Sequence, residues 1–224
     1  MEGESGVLFS IGPLEVTSTV TAMWAIVLLI SVFAFLATRN LKEVPGPLQA
    51  AAEIAVGKLQ GFFAEILGEK LMRKYFPIFA TFFIFIIVSN YSGILPGAGH
   101  IAGFSVPTAC LSVTAGISII AFFTTHTVGV KELGAKKYFM KLLKPFAIML
   151  PLNLIEQFVR PFSLALRLYG NLYGEEMVSS QLYGIFSLLL PILMNVLSLI
   201  FCLIQAMVFT MLLSIYVHEG LEED

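Results

Sequence analysis

Apolar positions in this chain of 224 residues run in long blocks set apart by short charged ones. Residues 20–38 (VTAMWAIVLLISVFAFLAT) carry no charge and end at Arg39, Lys42 and the Pro45-Gly46-Pro47 breaker, which predicts a first membrane-crossing helix. Over 48–75, Leu48, Ala52, Ala55, Leu59, Phe62, Phe63, Ile66 and Leu67 recur at helical spacing among Glu53, Lys58, Glu65, Glu69 and Lys70. That pattern predicts an amphipathic helix lying along a membrane surface. Residues 76–95 and about 108–128 predict two further spans, a hairpin over 76–128 joined by a Gly-rich loop through Pro96 and His100 to Pro107. A Lys-bearing segment then leads to two long apolar stretches, 146–178 and 183–217, which form a second hairpin over 146–217. As one helix, 146–178 is ~50 Å long against ~30 Å of hydrocarbon, so it tilts, bends or overhangs, with Pro151 and Pro161 available for bending and Pro191 in the last helix. The fold class expected is all-α integral membrane, with about five crossing helices plus an interfacial helix. The two C-terminal helices are long, tilted and antiparallel, and 1–224 is one transmembrane domain in which 1–38 is an N-terminal anchor.

Composition turns this pattern into a class. With 58% hydrophobic and 12% charged residues, and a mean hydropathy of +0.90, the chain lies outside the range of soluble domains, which excludes a soluble enzyme. The net charge of -2 says less than its distribution. Of thirteen Lys and Arg, six lie within 39–74 and five within 131–144 (Lys131, Lys136, Lys137, Lys141, Lys144), leaving Arg160 and Arg167. Placing both basic segments on the cytoplasmic side puts the N-terminus and the loop around His100 outside, and returns the tail EGLEED to the cytoplasmic side after five crossings. The start MEGESGVLFSIGPLEV has no Lys or Arg, unlike a secretory leader, so the first span reads as a retained anchor. No basic surface for nucleic acid is evident, and Cys110 and Cys202 sit in apolar segments as small hydrophobes, so no metal or cofactor is expected.

Arg167, inside PFSLALRLYGNLYGEE, is the residue packing does not explain, because an arginine at mid-membrane costs several kcal/mol and stays charged. Glu156, Arg160, Ser163, Arg167 and Asn171 follow one another at intervals of three or four and share a helix face. Glu175 and Glu176 lie ~12–14 Å beyond Arg167, away from the basic side. The last helix repeats the device with Asn195, Ser198, Cys202 and Gln205, so two polar stripes can face each other. For the neutral members, interhelical hydrogen bonding is an equally good reading. Arg160, just before Pro161, reads as snorkelling toward the basic side, while His100, His126 and His218 read as interfacial histidines. The Phe-rich run at 76–86 reads as lipid-facing or core surface. No phosphate loop, nucleophile elbow or metal-ligand cluster is present, which leaves ion movement as the chemistry.

The run PFSLALRLYGNLYGEE closely resembles the signature of subunit a of F-type ATP synthases, in which Leu-Arg-Leu-aromatic-Gly-Asn holds an essential arginine. The segments EKLMRKYFPIFATFFIFIIVSNYSGILP, VPTA, LKPFAIMLPLNLIEQFVRP and IQAMVFTMLLSIYV are also similar to that family in order, covering roughly 40–217. The resemblance implies a stator, not itself an enzyme, held against a rotating ring of c subunits, with peripheral-stalk b subunits as neighbours. It lies in a bacterial-type plasma membrane or an equivalent energy-coupling membrane. H+ or Na+ would travel through two offset aqueous half-channels, with Arg167 attracting ionised ring carboxylates and blocking direct passage. By position, Asn171, Glu176 and Gln205 match polar residues of the outer half-channel, Asn90 matches a polar residue at the end of the second span, and Ser163 and Glu156 approach the half-channel on the basic side. Ser198 stands where many relatives carry a titratable group, which shifts the acid to Glu175 or Glu176; Cys110 and Gly93 stand where relatives often carry Asp. Nine residues place Glu176 about half a helical turn round from Arg167, so its role needs a bend or a wet flank. Apart from the resemblance, the residues also fit a stand-alone secondary transporter or ion channel, or a scaffold in which Arg167 pairs permanently with Glu175 or Glu156.

Overall fold

The computed structural model describes residues 7–11, 14–39, 42–93, 106–141, 150–185 and 189–221. Apart from one short N-terminal hairpin, the described residues form an all-α membrane fold. The hairpin was not expected. Strands β1 (Val7–Ile11) and β2 (Leu14–Thr17) pair antiparallel, Ile11 opposite Leu14 and Phe9 opposite Val16, with a bulge between Val7 and Phe9. Both are rich in strand-forming residues and flank Gly12-Pro13, a turn signal in the sequence.

Helix α1 (Ser18–Thr38) follows directly and leaves Trp24, Leu28 and Phe35 exposed, as a lipid-facing helix does. Gly46 and Pro47 start the next helix, Pro at a position where its missing N–H costs nothing. The surface helix expected over 48–75 is shorter: α2 (Pro47–Leu67) stops at Gly68, and α3 (Glu69–Ser92) takes the remainder together with the second span. Gly68 has φ of 76°, a left-handed backbone that side chains disfavour. Its N–H closes α2 on the Ala64 carbonyl at 2.9 Å, and its carbonyl accepts from the Met72 N–H at 3.0 Å, so one residue turns the corner.

A 3-10 turn (Pro107–Ala109) leads into α4 (Leu111–Leu133), and Gly134, at φ 81°, separates it from α5 (Ala135–Lys141). The ring of Tyr138 in α5 packs against Gly129, where an added Cβ would clash with its Cε2 and Cδ2. The Tyr138 hydroxyl is 3.1 Å from His126 Nδ1, and burial pushes this phenol up while the Arg160 charge opposes it.

Two long helices complete the chain, α6 (Leu150–Ile185) and α7 (Leu189–Leu221), of 36 and 33 residues. Helix α6 runs on past the expected 178, and the expected start at 146 lies outside the described residues. Pro151 and Pro191 fall in first turns, so of the three prolines named as bending points only Pro161 lies inside a helix. Among the described residues four helices are long and apolar enough to cross a membrane: Ser18–Thr38, Glu69–Ser92, Leu111–Leu133 and Leu193–Leu221. Helix α6 falls short of that apolarity because Glu156, Arg160, Arg167, Glu175 and Glu176 lie along it.

Contacts fix the directions. Asn171 meets Gln205 and Arg160 meets Glu219, so α6 and α7 are antiparallel. Phe82 lies against Phe209 and Tyr91 bonds the Leu199 carbonyl, so α3 also opposes α7. Lys74 and Tyr75 of α3 converge on Glu132 of α4, at 2.5 and 2.6 Å. The buried core runs between these four helices and the end of α2, through Phe63, Phe79, Ile86, Leu168, Phe209 and Leu213. The Phe-rich run thus contributes core: Phe79 is fully buried, and Phe76, Phe82, Phe83 and Phe85 pack around it.

Candidate functional site

Helix α6 has three kinds of flank. Leu164, Ala165, Leu168 and Leu172 are buried; Ile155, Val159, Phe162 and Leu166 are exposed. The polar stripe marks the seam between them on the α7 side. Arg167 is exposed there, and Asn171, about 40° further round, is exposed too. Among the described residues Arg167 makes neither an ion pair nor a hydrogen bond.

Both neighbours of Arg167 on this seam are tied to α7. Four residues on, Asn171 Nδ2 donates to Gln205 Oε1 at 2.6 Å. Seven residues back, Arg160 Nη2 donates to Glu156 Oε1 at 2.6 Å and meets Glu219 Oε2 at 2.9 Å, with its Cζ 4.7 Å from the centroid of the Tyr216 ring. Arg160 thus reaches toward the basic end, as a snorkelling side chain does, but its guanidinium is met there by Glu156 of its own helix and Glu219 of the neighbouring one. Between these ties no described side chain of α7 accepts a hydrogen bond from Arg167. Thr210 and Ser214 are fully buried and give their hydroxyls to the carbonyls of Ala206 and Thr210, at 2.9 and 2.8 Å.

The two polar stripes do meet, though unevenly. Gln205, Cys202 and Ser198 are buried, while Asn195 is exposed. Glu175 is half-buried within electrostatic reach of Cys202, one turn from Ser198. The Glu176 side chain and His100 lie outside the described residues. Ser163 is half-buried, and Glu156 is exposed and paired to Arg160. Cys110 Sγ lies 3.1 Å from Ser112 Oγ, and at Gly93 an added Cβ would meet Val106 Cγ2 at 3.0 Å. The absence of an Asp at Gly93 thus suits the close packing of Val106.

Asn90 is 1% exposed, yet neither its Nδ2 nor its Oδ1 has a partner among the described residues. The same holds for Ser89 Oγ, Thr108 Oγ1, Ser118 Oγ and Gln205 Nε2. Each such atom costs about 1–3 kcal/mol if left dry, and native interiors hold few of them. On the basic side a narrow cleft between α4, α6 and α7, lined by Thr125, His126, Gln157, Arg160 and Tyr216, has about 10 Å³ of room, close to the minimum for one water.

Sequence reasoning passed over Tyr216, Glu219, Ser89, Thr108 and Ser118. For the first two a signal existed, because the α7 stripe from Ser198 through Cys202 and Gln205 reaches Tyr216 and Glu219 by further steps of four and three. The three hydroxyls sit among apolar neighbours with no periodic mark.

The family model described as "ATP synthase A chain" matches residues 20–218. The chain is 41% identical over 208 residues to "ATP synthase subunit a 1" of Syntrophotalea carbinolica, covering 91% of this chain and 86% of that protein. It is 38% identical over 210 residues to "ATP synthase subunit a" of Moorella thermoacetica, covering 94% and 93%. A protein of Hahella chejuensis, "ATP synthase subunit a 1", is 37% identical over 213 residues, covering 95% and 88%. Matched over nearly its whole length, and built of apolar helices around one seam of polar residues, the chain is an integral membrane protein that belongs to the subunit a family of F-type ATP synthases.

Proposed function

We propose that the chain works as the ion-conducting stator of an F-type ATP synthase, passing H+ or Na+ to and from a rotating ring of c subunits. Two offset half-channels serve the ring, and Arg167 stands between them. The observation that carries this reading is Arg167 itself, a permanent cation on an exposed seam beside apolar side chains, without a counter-charge among the described residues of its own chain. A buried or lipid-facing guanidinium is tolerated when a mobile anion visits it, and a ring carboxylate that has released its ion is such an anion. The ionised carboxylate is held beside Arg167 until it is reloaded, so an ion cannot pass between the half-channels without riding the ring.

The partnerless buried polar atoms of Asn90, Ser89, Thr108, Ser118 and Gln205 fit a water-lined path on the outer side. Asn171 and Glu175 stand on the same flank, with Glu175 about 80° round from Arg167, so the acid of this path is Glu175 rather than Glu176. Ser163, Glu156 and the cleft beside Gln157 approach the half-channel on the basic side. The N-terminus faces outside and the C-terminus the cytoplasm, with b subunits of the peripheral stalk as further neighbours.

Arg167→Ala in the assembled complex, reconstituted in vesicles, tests the reading. ATP-driven ion uptake is expected to fall by about a hundredfold or more, equivalent to ~2.7 kcal/mol of lost coupling, while ring association persists. Retained coupled uptake would overturn the proposal. Ion conduction by the isolated chain at the rate of the complex would favour a stand-alone channel instead.

A further inference from the structure

We propose that Arg160 is a positioning residue, which through Glu219 and Tyr216 of α7 fixes the height of Arg167 in the membrane. The inference deepens the stator reading and rests on it for its functional consequence.

Arg160 and Arg167 lie two turns apart on one face of α6, ~10.5 Å along the axis. Glu156, one turn earlier, aligns the Arg160 guanidinium from within the same helix, at 2.6 Å. Tyr216 and Glu219, at i and i+3 on α7, then take it from the side, one through its ring and the other through Oε2. The side chain of Arg160 is 19% exposed, so its charge is partly shielded from water and its geometry is directional.

Apolar contact between two long helices resists separation better than it resists sliding, because ridges and grooves repeat along the axis and offer neighbouring registers. Along the seam beside Arg167, Phe209 and Leu213 are apolar, and Thr210 and Ser214 have turned their hydroxyls onto their own helix. Axial register is therefore carried by the polar ties at either side, Arg160 to Glu219 and Asn171 to Gln205. Asn171 and Gln205 are neutral and form a single bond, whereas Arg160 holds a second helix at two points. Losing the Arg160 tie lets α6 slip along α7 and carries Arg167 away from the depth of its visiting carboxylate.

The test uses the whole complex in two arms. In the first, Asn171→Cys with Gln205→Cys replaces the neutral tie, and the rate of disulfide formation reads the register that Arg160 holds alone. A disulfide demands Cα atoms about 4.4–6.8 Å apart, so a slip of one residue, ~1.5 Å, is enough to slow it. Arg160→Ala is expected to slow cross-linking about tenfold, Glu219→Gln about threefold, and Arg160→Lys little. In the second arm, with Asn171 and Gln205 native, ATP-driven ion uptake is expected to fall about fivefold in Arg160→Ala and recover in Arg160→Lys, with ring retention unchanged. A purely structural role lowers thermal stability without altering the cross-linking rate, and that outcome overturns the proposal. So does a failure of Arg160→Lys to restore uptake. Should Arg160→Ala fail to assemble, Glu219→Gln carries both arms. If Arg167→Ala keeps its coupling, the stator reading falls, while the cross-linking arm still reports whether Arg160 sets the register.

Discussion

The two ends of the α6–α7 pair treat polarity in opposite ways. At the basic end, Arg160 is shared by Glu156, Glu219 and Tyr216, Glu132 by Lys74 and Tyr75, and His126 meets Tyr138, with His218 Nδ1 as the exception. At the other end, Asn90, Ser89, Thr108, Ser118 and half of Gln205 are buried with no bonding partner among the described residues. A satisfied network holds helices in place; an unsatisfied one keeps its bonding capacity for something that comes and goes. In the reading proposed above, the ties at the basic end hold the helices beside one half-channel, the unpaired groups line the other, and Arg167 stands between them.

Replacing Asn90 attacks the unsatisfied end directly. Asn90→Leu, with the same number and branching of side-chain heavy atoms, should cut ion uptake by the complex about tenfold while leaving thermal stability equal or higher by up to ~1–2 kcal/mol, because two uncompensated polar atoms disappear. A clear loss of stability with normal uptake would assign Asn90 to packing instead. Glu175→Gln should slow uptake about threefold, most strongly when entry from the outer side limits the rate, with assembly intact. Flux unchanged across the pH range would remove Glu175 from the path.

At the satisfied end, away from the Arg160 tie itself, the effects fall on stability instead. Gly129→Ala drives a methyl into the Tyr138 ring and should cost about 1–3 kcal/mol by displacing α5, visible as faster proteolysis at 135–141 with uptake little changed. Tyr75→Phe removes one donor from Glu132 and should cost about 1 kcal/mol in thermal unfolding. If either substitution stopped transport outright, the division between the ends would be wrong.

Much of this was legible in the chain because membrane helices announce themselves. An uncharged run such as 20–38 has few other fates, and a three-or-four spacing puts Arg167 and Asn171 on one face whatever surrounds them. What escaped were features that depend on one backbone angle or on distant partners. The helical pattern runs through Gly68 without a break, since a glycine there interrupts no apolar stripe and only its φ reveals the corner. Arg160 looked like a merely snorkelling side chain because its partner Glu219 is 59 positions away and belongs to another helix. The beginning of the chain was read only for its lack of Lys and Arg, although its alternating residues around Gly12-Pro13 carried a hairpin signal. The site was legible as residues and not as pairs. Asn171 and Gln205 were named separately, and their hydrogen bond fixes which face of α6 meets α7.

The corner at Gly68 has a mechanical consequence. Both helices end on the same residue, one bonded to its N–H and the other to its carbonyl, so the angle between α2 and α3 is set by two torsions rather than by a slack loop. Such an elbow is short and stiff. A sideways load on α2 is delivered to α3 almost undiminished, with little elastic energy lost at the joint, and any residue with a Cβ placed there would reset the angle of the whole lever.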